Sequence, residues 1–319
     1  SDTDALPVEE KTGLPFASEN PGVMHACGHD NHMAMLLGAA KILTTIRDEI
    51  PGTVKLLFQP AEETAQGAKA MIAEGVLKGV DAIYGAHIWG DFDAPYIDVS
   101  AGNRMACCDT FRITVEGSST HGSTPHLGTD AIVAAASIIM NIQTYVSRNN
   151  DPLNPLVVTV GKIDGGQRFN ILANKVVMEG TCRTFSRKTL ETIDKDLERI
   201  AANTAAAFGA SASLEYQHLT TPVINDHEDL NRIARNAVIK LYGEEGLGHL
   251  PTMMGSEDFA FFMEEVPGIF GFIGSRDPEQ GYIYTNHHEK YSVPEEVLQR
   301  GAAMHAQFAL DFLTEKAGE

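Results

Sequence analysis

The residues with the clearest capacity for chemistry lie in one short stretch, residues 24–32. This stretch contains one cysteine and three histidines, and thiolates and imidazoles are good ligands for transition metals. Only Gly28 separates Cys27 from His29, and an apolar pattern with helical spacing follows. We therefore predict a ligand-bearing loop that opens a helix over about 30–47. For Cys27 and His29 alone, metal binding and a structural role are equally open.

Further candidate ligands lie far apart along the chain. Glu62 and Glu63 follow the apolar run 53–58, which we predict to be a buried strand. Adjacent carboxylates repel each other unless a proton or a cation separates them, so this pair taken alone favours a solvated loop. Its position favours a functional site, because open α/β sheets place their sites at the carboxyl ends of strands. His87 ends a second predicted strand, and His287 lies in a polar loop. One thiolate, one carboxylate and three imidazoles would suit zinc, manganese or cobalt, but spacing alone leaves their convergence open.

A second polar cluster occupies residues 120–126, between a predicted strand and a long predicted helix. Its composition is equally consistent with a functional site and with a turn followed by a helix cap. Asn170 follows a Gly-Gly turn and Arg183 lies within a predicted strand, so each is an isolated polar residue. Capping of a helix start explains Ser256 and the two acidic residues that follow it.

The elements that must position these residues form two patterns. Strands alternate with helices in residues 1–105, and helices with short strands resume in 220–319, which predicts a layered α/β domain. Residues 106–219 between them read as β-α-β-β-α-β, the order of a ferredoxin-like α+β sandwich. We therefore predict that a smaller domain is inserted into a larger α/β domain.

Composition limits the classes of function. The chain has 319 residues, a length typical of about two domains. Its formal net charge of -19 disfavours nucleic acid and anionic membranes as partners. No run of about 18 apolar residues is present, so no transmembrane helix is expected. The 4 cysteines form neither a disulfide framework nor a CxxC motif, which favours a reducing, cytoplasmic setting.

Taken together, these residues resemble the M20 metallopeptidase family, and specifically its aminoacylase and amidohydrolase branch. That branch includes hippurate hydrolases, N-acyl-amino-acid amidohydrolases and auxin-conjugate hydrolases. The matching stretches run in family order across essentially the whole chain. They are residues 2–7, 25–30, 58–63, 85–87, 121–126, 255–259 and His287.

The resemblance implies a catalytic domain that binds two divalent ions (manganese, zinc or cobalt). The implied ligands are Cys27, His29, Glu63, His87 and His287. Glu62 is implied as the general base and then acid, which leaves His25 and His32 outside the ligand set. The inserted domain is implied to be a dimerisation or lid domain, whose His121 reaches toward substrate in the site of a second subunit. Asn170 and Arg183 match positions that contact substrate.

The implied reaction is hydrolysis of the amide bond of an N-acyl amino acid to a carboxylate and a free amino acid. Two alternatives remain. One is a dipeptidase or carboxypeptidase with the same chemistry, and the other is a metal-binding dimer that has lost catalysis. The expected partners are a small-molecule substrate and a second copy of the chain.

The sequence departs from the family pattern in two places. The family usually has a further stretch, with a helix and strands of the catalytic domain, before the motif at residues 2–4, and we therefore expect an incomplete sheet. In addition, residues 287–291 lack the proline that often follows the ligand histidine. Either imidazole of His287 and His288 could then bind metal, and the distance along the chain to Tyr291 favours His287.

Overall fold

The computed structural model describes residues 1–318, and it has an α/β fold built from two compact units. The first unit comprises residues 1–104, 223–252 and 257–319, and the second comprises 105–222 and 253–256. The smaller unit is therefore an insertion in the larger one. Among residues 1–318, none of the helices combines the length and apolar character that crossing a membrane requires.

The first unit contains most of the helices. Its elements are α1 His29–Thr45, α2 Gly67–Ala73, β1 Ile83–Asp93, β2 Ile97–Asp98 and β3 Gly102–Met105, and, after the insertion, β8 Val223–Asn225, α6 Glu228–Tyr242, α7 Ala260–Glu265, β9 Gly268–Arg276 and α8 Glu296–Gly318. Strand β3 ends at the first residue of the insertion, and it pairs with β8.

The main sheet of the first unit has the strand order β1-β9-β2. Strands β1 and β9 are parallel, with Ile83 opposite Gly268 and His87 opposite Phe272. Strand β9 is buried along all but its last residue, so its sequence is a nearly continuous apolar run rather than an alternating one. Helices α1, α6 and α8 pack against this sheet, and α8 also packs against α1 and α6.

Two of the predicted elements of this unit differ in the structure. Residues 53–58 were predicted as a buried strand, and this prediction is wrong, because they have no strand geometry. A strand requires a backbone partner over several residues, whereas here a single bridge joins Gln59 to Asp2. An apolar cavity of about 170 Å³ is lined by this segment and by the first residues of β1, so the two do not pair. His87, predicted to end a strand, instead lies in the middle of β1.

The second unit has the predicted β-α-β-β-α-β order. Its elements are β4 Cys108–Glu116, α3 Ala131–Thr144, β5 Leu156–Gly165, β6 Lys175–Thr184, α4 Arg187–Leu190, α5 Ile193–Ala207 and β7 Ser211–Thr220. The strands form an antiparallel sheet in the order β5-β6-β4-β7, which confirms the ferredoxin-like α+β sandwich. Helices α3 and α5 cover one face of the sheet, where alternate residues of β4 and β6 are buried.

Candidate metal centre

The loop that carries Cys27 and His29 depends on the glycine between them. Gly28 has φ +94°, which side-chain-bearing residues rarely adopt, and a Cβ there would lie 2.7 Å from the side chain of Ile88. His29 is the first residue of α1, and it is fully buried. The close approach of Gly28 to β1 therefore brings the ligand-bearing loop against the strand that carries His87.

One group of candidate ligands consists of Cys27, His29 and His87. Their ligand atoms all lie within 4.8 Å of one another, and the Cys27 Sγ is 3.4 Å from the His87 Nε2. All three residues are buried. A single ion at their centre could therefore contact a thiolate and two imidazoles.

A second group consists of Cys27, Glu63 and His287, whose ligand atoms also lie within 4.8 Å of one another. The His287 Nε2 is 3.2 Å from the Cys27 Sγ and 3.5 Å from the Glu63 Oε1. His287 has φ +69°, in the sparsely populated left-handed region, and its N–H donates to the Ala26 carbonyl at 2.7 Å. The structure thus brings all five predicted ligands together in the first unit, and Cys27 is common to both groups.

The hydrogen bonds of the histidines fit metal binding. The Nδ1–H of His87 donates to the Ile88 carbonyl at 2.6 Å, and that of His29 donates to the Asp4 carbonyl at 2.9 Å. Each ring is thereby oriented so that Nε2 carries a lone pair, as in ligating histidines. The His29 Nε2 and the Glu63 Oε1 are buried and have no hydrogen-bond partner among the described residues. Together with the nearby thiol and the other imidazoles, these unsatisfied lone pairs form a set of ligand atoms that suits borderline divalent ions.

The electrostatics of the site indicate that its anionic groups lack a compensating positive charge. Burial, followed by the carboxylates of Glu63 and Glu62, raises the pKa of the Cys27 thiol. Burial, followed by the negative charges of Asp2 and Glu63, raises the pKa of Glu62 to about 9. Without a cation the thiolate and the carboxylates destabilise one another, and divalent ions would reverse this effect.

Asp4 positions the turn that carries the two glutamates. Its carboxylate accepts hydrogen bonds from the backbone N–H groups of Glu62 and Glu63, at 3.1 and 3.0 Å. The Glu62 Oε2 lies 3.9 Å from the His29 Nε2. Since Glu62, Glu63 and His29 also lie within 4.8 Å of one another, both carboxylates face the ligand pocket. Geometry alone does not show which of the two glutamates would bind metal and which would act as the base.

Three functional candidates were missed by the sequence reasoning. The carboxyl groups of Asp2 and Glu257 are both buried, and each lies within 4.8 Å of the His87 ligand atom. Asn286 donates to the carbonyls of Cys27 and Ile88, and it accepts from the Gly90 N–H. Asp2 and Glu257 belong to stretches that matched the family, but their types gave no signal of their own. Only the fold shows that they face the site.

The capping interpretation of residues 256–258 is wrong for Ser256 and Asp258, whereas the Glu257 carboxylate accepts a local hydrogen bond from the N–H of Phe259, at the start of α7. The Asp258 carboxylate accepts hydrogen bonds from the Gln59 side chain and the Ala68 N–H, so it joins α2 to the segment before the glutamates. The hydroxyl of Ser256 accepts from Arg183 at 3.3 Å. The side chain of Phe259, the N-cap residue of α7, makes no capping hydrogen bond. Ser256 and Asp258 therefore connect segments that are distant in sequence.

The remaining predicted site residues belong to the second unit. His121 and Asn170 lie on adjacent segments, since the Gly122 N–H donates to the Asn170 carbonyl at 2.9 Å and His121 bridges Ile171. The Oδ1 of Asn170 is buried and has no partner among the described residues. Arg183 lies in β6, and its contact with Ser256 is within the same unit.

We expect Gly28→Ala to lower the free energy of unfolding by about 2–4 kcal/mol, because it combines backbone strain with a clash against Ile88. Urea unfolding followed by circular dichroism would measure the loss. Gly75→Ala is the matched control, since Gly75 has φ +82° but nothing within 4 Å of an added Cβ. Equal losses in the two variants would show that the contact with Ile88 contributes nothing.

The chain is similar to known proteins over nearly its whole length. Residues 1–311 match the family model described as peptidase family M20/M25/M40. An N-acetyl-L-cysteine deacetylase of Bacillus subtilis is 39% identical over 298 residues, which cover 93% of this chain and 70% of the relative. A thermostable carboxypeptidase of Saccharolobus solfataricus is 36% identical over 315 residues, covering 98% of this chain and 79% of the relative.

A solved structure matches the chain with similar coverage. It is a Bacillus subtilis protein described as a dinuclear metal-binding peptidase from the M20 family. The two structures superpose with a TM-score of 0.85 at 34% sequence identity, over 98% of this chain and 80% of the other. The fold and the sequence therefore agree in relating this chain to the M20 peptidase family.

Proposed function

Because the chain belongs to peptidase family M20/M25/M40 and is a hydrolase of amide bonds, we propose that it cleaves N-acyl amino acids to a carboxylate and a free amino acid. The observation that carries the proposal is the convergence of the ligand atoms of Cys27, His29, Glu63, His87 and His287, of which Cys27, His29 and His87 are buried. The deacetylase among the relatives supports a small acyl group. Two divalent ions (manganese, zinc or cobalt) are proposed as cofactors.

Bound by these ligands, the ions would lower the pKa of a water molecule and polarise the acyl carbonyl. The backbone N–H of Glu62 donates to the Asp4 carboxylate, which holds this residue in place. The Glu62 carboxylate takes the proton of the attacking water as the carbon–oxygen bond forms. Glu62 then returns this proton to the amine as the carbon–nitrogen bond breaks. Glu63 is assigned to metal and Glu62 to proton transfer, so the adjacent carboxylates divide the work.

His121 is assigned to stabilising the oxyanion in the site of a second subunit, as the family resemblance implies. Its Nδ1 accepts a hydrogen bond from the Ser123 N–H at 3.1 Å, so the neutral ring carries its proton on Nε2. An exposed Nε2–H is the donor that a developing oxyanion requires. Asn170, which contacts the same loop, and Arg183 are assigned to substrate binding. Their amide and guanidinium groups suit a carboxylate or carbonyl oxygen.

A hydrolysis panel tests the proposed substrate class. Purified protein supplied with manganese, zinc or cobalt would be offered acetyl-, benzoyl- and indole-acyl-amino acids beside dipeptides. Faster release of amino acid from the acyl compounds is the expected result. Faster cleavage of dipeptides would favour the alternative peptidase function, which the carboxypeptidase relative supports. Protein that binds metal but hydrolyses nothing would favour a dimer that has lost catalysis.

A homodimer through the second unit is also proposed, on the apolar face of α3. Val133 and Met140 lie two turns apart on one side of this helix and are 47% and 67% exposed, and Ile132 beside them is 47% exposed. Exposed apolar surface of this kind is typical of a protein interface. A second copy of the chain would bury it.

We expect Met140→Glu to weaken self-association by at least about tenfold, because a carboxylate loses hydration when the face is covered. Light scattering after size-exclusion chromatography would measure the molar mass over a range of concentrations. Met140→Leu is the control, since it keeps the helix and the apolar surface, and it should remain dimeric. A dimer unaffected by Met140→Glu would place the interface elsewhere.

A further inference from the structure

The carboxylate of Asp2 lies within the candidate metal centre, although Asp2 is not among the five predicted ligands. Its side chain is buried, and its carboxylate lies within 4.8 Å of ring nitrogens of His29, His32 and His87. A buried carboxylate is costly unless each oxygen has a donor or a cation. The partners of its two oxygens therefore indicate what the residue does.

One oxygen of Asp2 is satisfied by His32. The His32 Nε2 accepts the backbone N–H of Ile88 at 2.9 Å, so the proton of the neutral ring must be on Nδ1. That Nδ1–H donates to the Asp2 Oδ1 at 2.5 Å. His32 thus holds the carboxylate at a fixed position beside β1. This arrangement fixes the direction of the second oxygen.

The second oxygen faces an acceptor instead of a donor. The Asp2 Oδ2 lies 3.3 Å from the His29 Nε2. The His29 Nδ1–H is donated to the Asp4 carbonyl, so Nε2 carries a lone pair, and it has no hydrogen-bond partner among the described residues. Two buried lone pairs at this distance repel each other. A cation bound by both atoms turns the repulsion into attraction.

We propose that Asp2 is a further ligand of the ion held by Cys27, His29 and His87, with Oδ2 as its ligand atom. The inference rests on the proposed metal site and deepens it. Asp2 adds a second anionic ligand beside the Cys27 thiolate, which lowers the net charge of the buried ion together with its ligands. His32 then has the role of orienting a ligating carboxylate, as hydrogen-bonded neighbours commonly do in metal sites.

The test compares manganese binding by metal-free wild-type protein and by Asp2→Asn, using isothermal titration calorimetry. Asparagine keeps an acceptor for the His32 Nδ1–H, but its NH₂ group would donate to the His29 Nε2 and occupy that lone pair. We expect one of the two ions to bind at least about 100-fold more weakly and the other to be retained. We also expect the metal-free variant to unfold at the same urea concentration as the wild type, or a higher one.

Asp30→Asn is the matched control. Asp30 is exposed in the first turn of α1, and its carboxylate bonds to the Asn31 side chain, so this variant makes the same charge change nearby. Its two affinities should stay close to wild type. If Asp2→Asn binds both ions as tightly as the wild type, or if the metal-free variant is destabilised and loses both ions, the proposal is overturned. Wild-type protein that binds no ion would instead overturn the metal site itself.

Discussion

Glu62→Gln is expected to reduce kcat by about 10²–10⁴-fold while leaving the metal content unchanged, because the amide cannot take a proton from water. Glutamine has nearly the same shape as glutamate, and the turn is held by backbone N–H groups that donate to Asp4, so the substitution preserves the fold around the site. The measurement is turnover of an N-acyl amino acid, with metal content determined on the same preparation. Glu62→Ala should behave in the same way.

The neighbouring carboxylate provides the control for this prediction. Glu63→Gln makes the same chemical change one residue away, at a side chain whose Oε1 faces the His287 Nε2. We expect it to lose bound metal as well as activity, since Glu63 is assigned as a ligand. A Glu62→Gln variant that turns over substrate normally, or the loss of metal from both variants alike, would show that the two glutamates are wrongly assigned.

The sequence indicated the residues that converge in the candidate metal centre better than the elements that carry them. The pattern Cys27-x-His29 before an apolar helix was sufficient to predict the loop and α1, because both depend on local spacing. The strand predicted at 53–58 depends on a backbone partner elsewhere in the chain, which no local pattern encodes. In the inserted unit each predicted strand had its neighbours within the same short segment, and the prediction was confirmed.

The roles of the buried acidic residues could not be predicted for a related reason. Asp258 was interpreted as a helix cap, because acidic residues at a helix start usually interact with nearby N–H groups. In the structure its partners are Gln59 and Ala68, almost two hundred residues away. Asp2 likewise acquires its environment only when His29, His32 and His87 surround it. The candidate ligands are recognisable from their types, whereas the groups that orient them are recognisable only from contacts.

The largest expected loss of stability comes from Arg104→Met, about 3–5 kcal/mol in the free energy of unfolding. Arg104 and Asp98 form an ion pair in the first unit, and they are 1% and 0% exposed. The Asp98 carboxylate also accepts from the N–H groups of Leu250 and Ser100, while the guanidinium donates to the Leu250 carbonyl and lies over the ring of Phe272. Methionine fills much of the volume but leaves a buried carboxylate without its counter-ion.

A second variant separates the loss of charge pairing from the loss of packing. In Arg104→Met with Asp98→Asn, the buried charge is removed together with its partner, and the carbonyl oxygen of the introduced amide can still accept one of the two backbone hydrogen bonds. We expect this double variant to be more stable than Arg104→Met alone, because an unpaired buried charge costs more than a missing pair. Urea unfolding of the two variants and the wild type measures the difference. A double variant less stable than Arg104→Met would mean that the guanidinium stabilises the unit through its packing on Phe272 and its bond to Leu250, and not by neutralising Asp98.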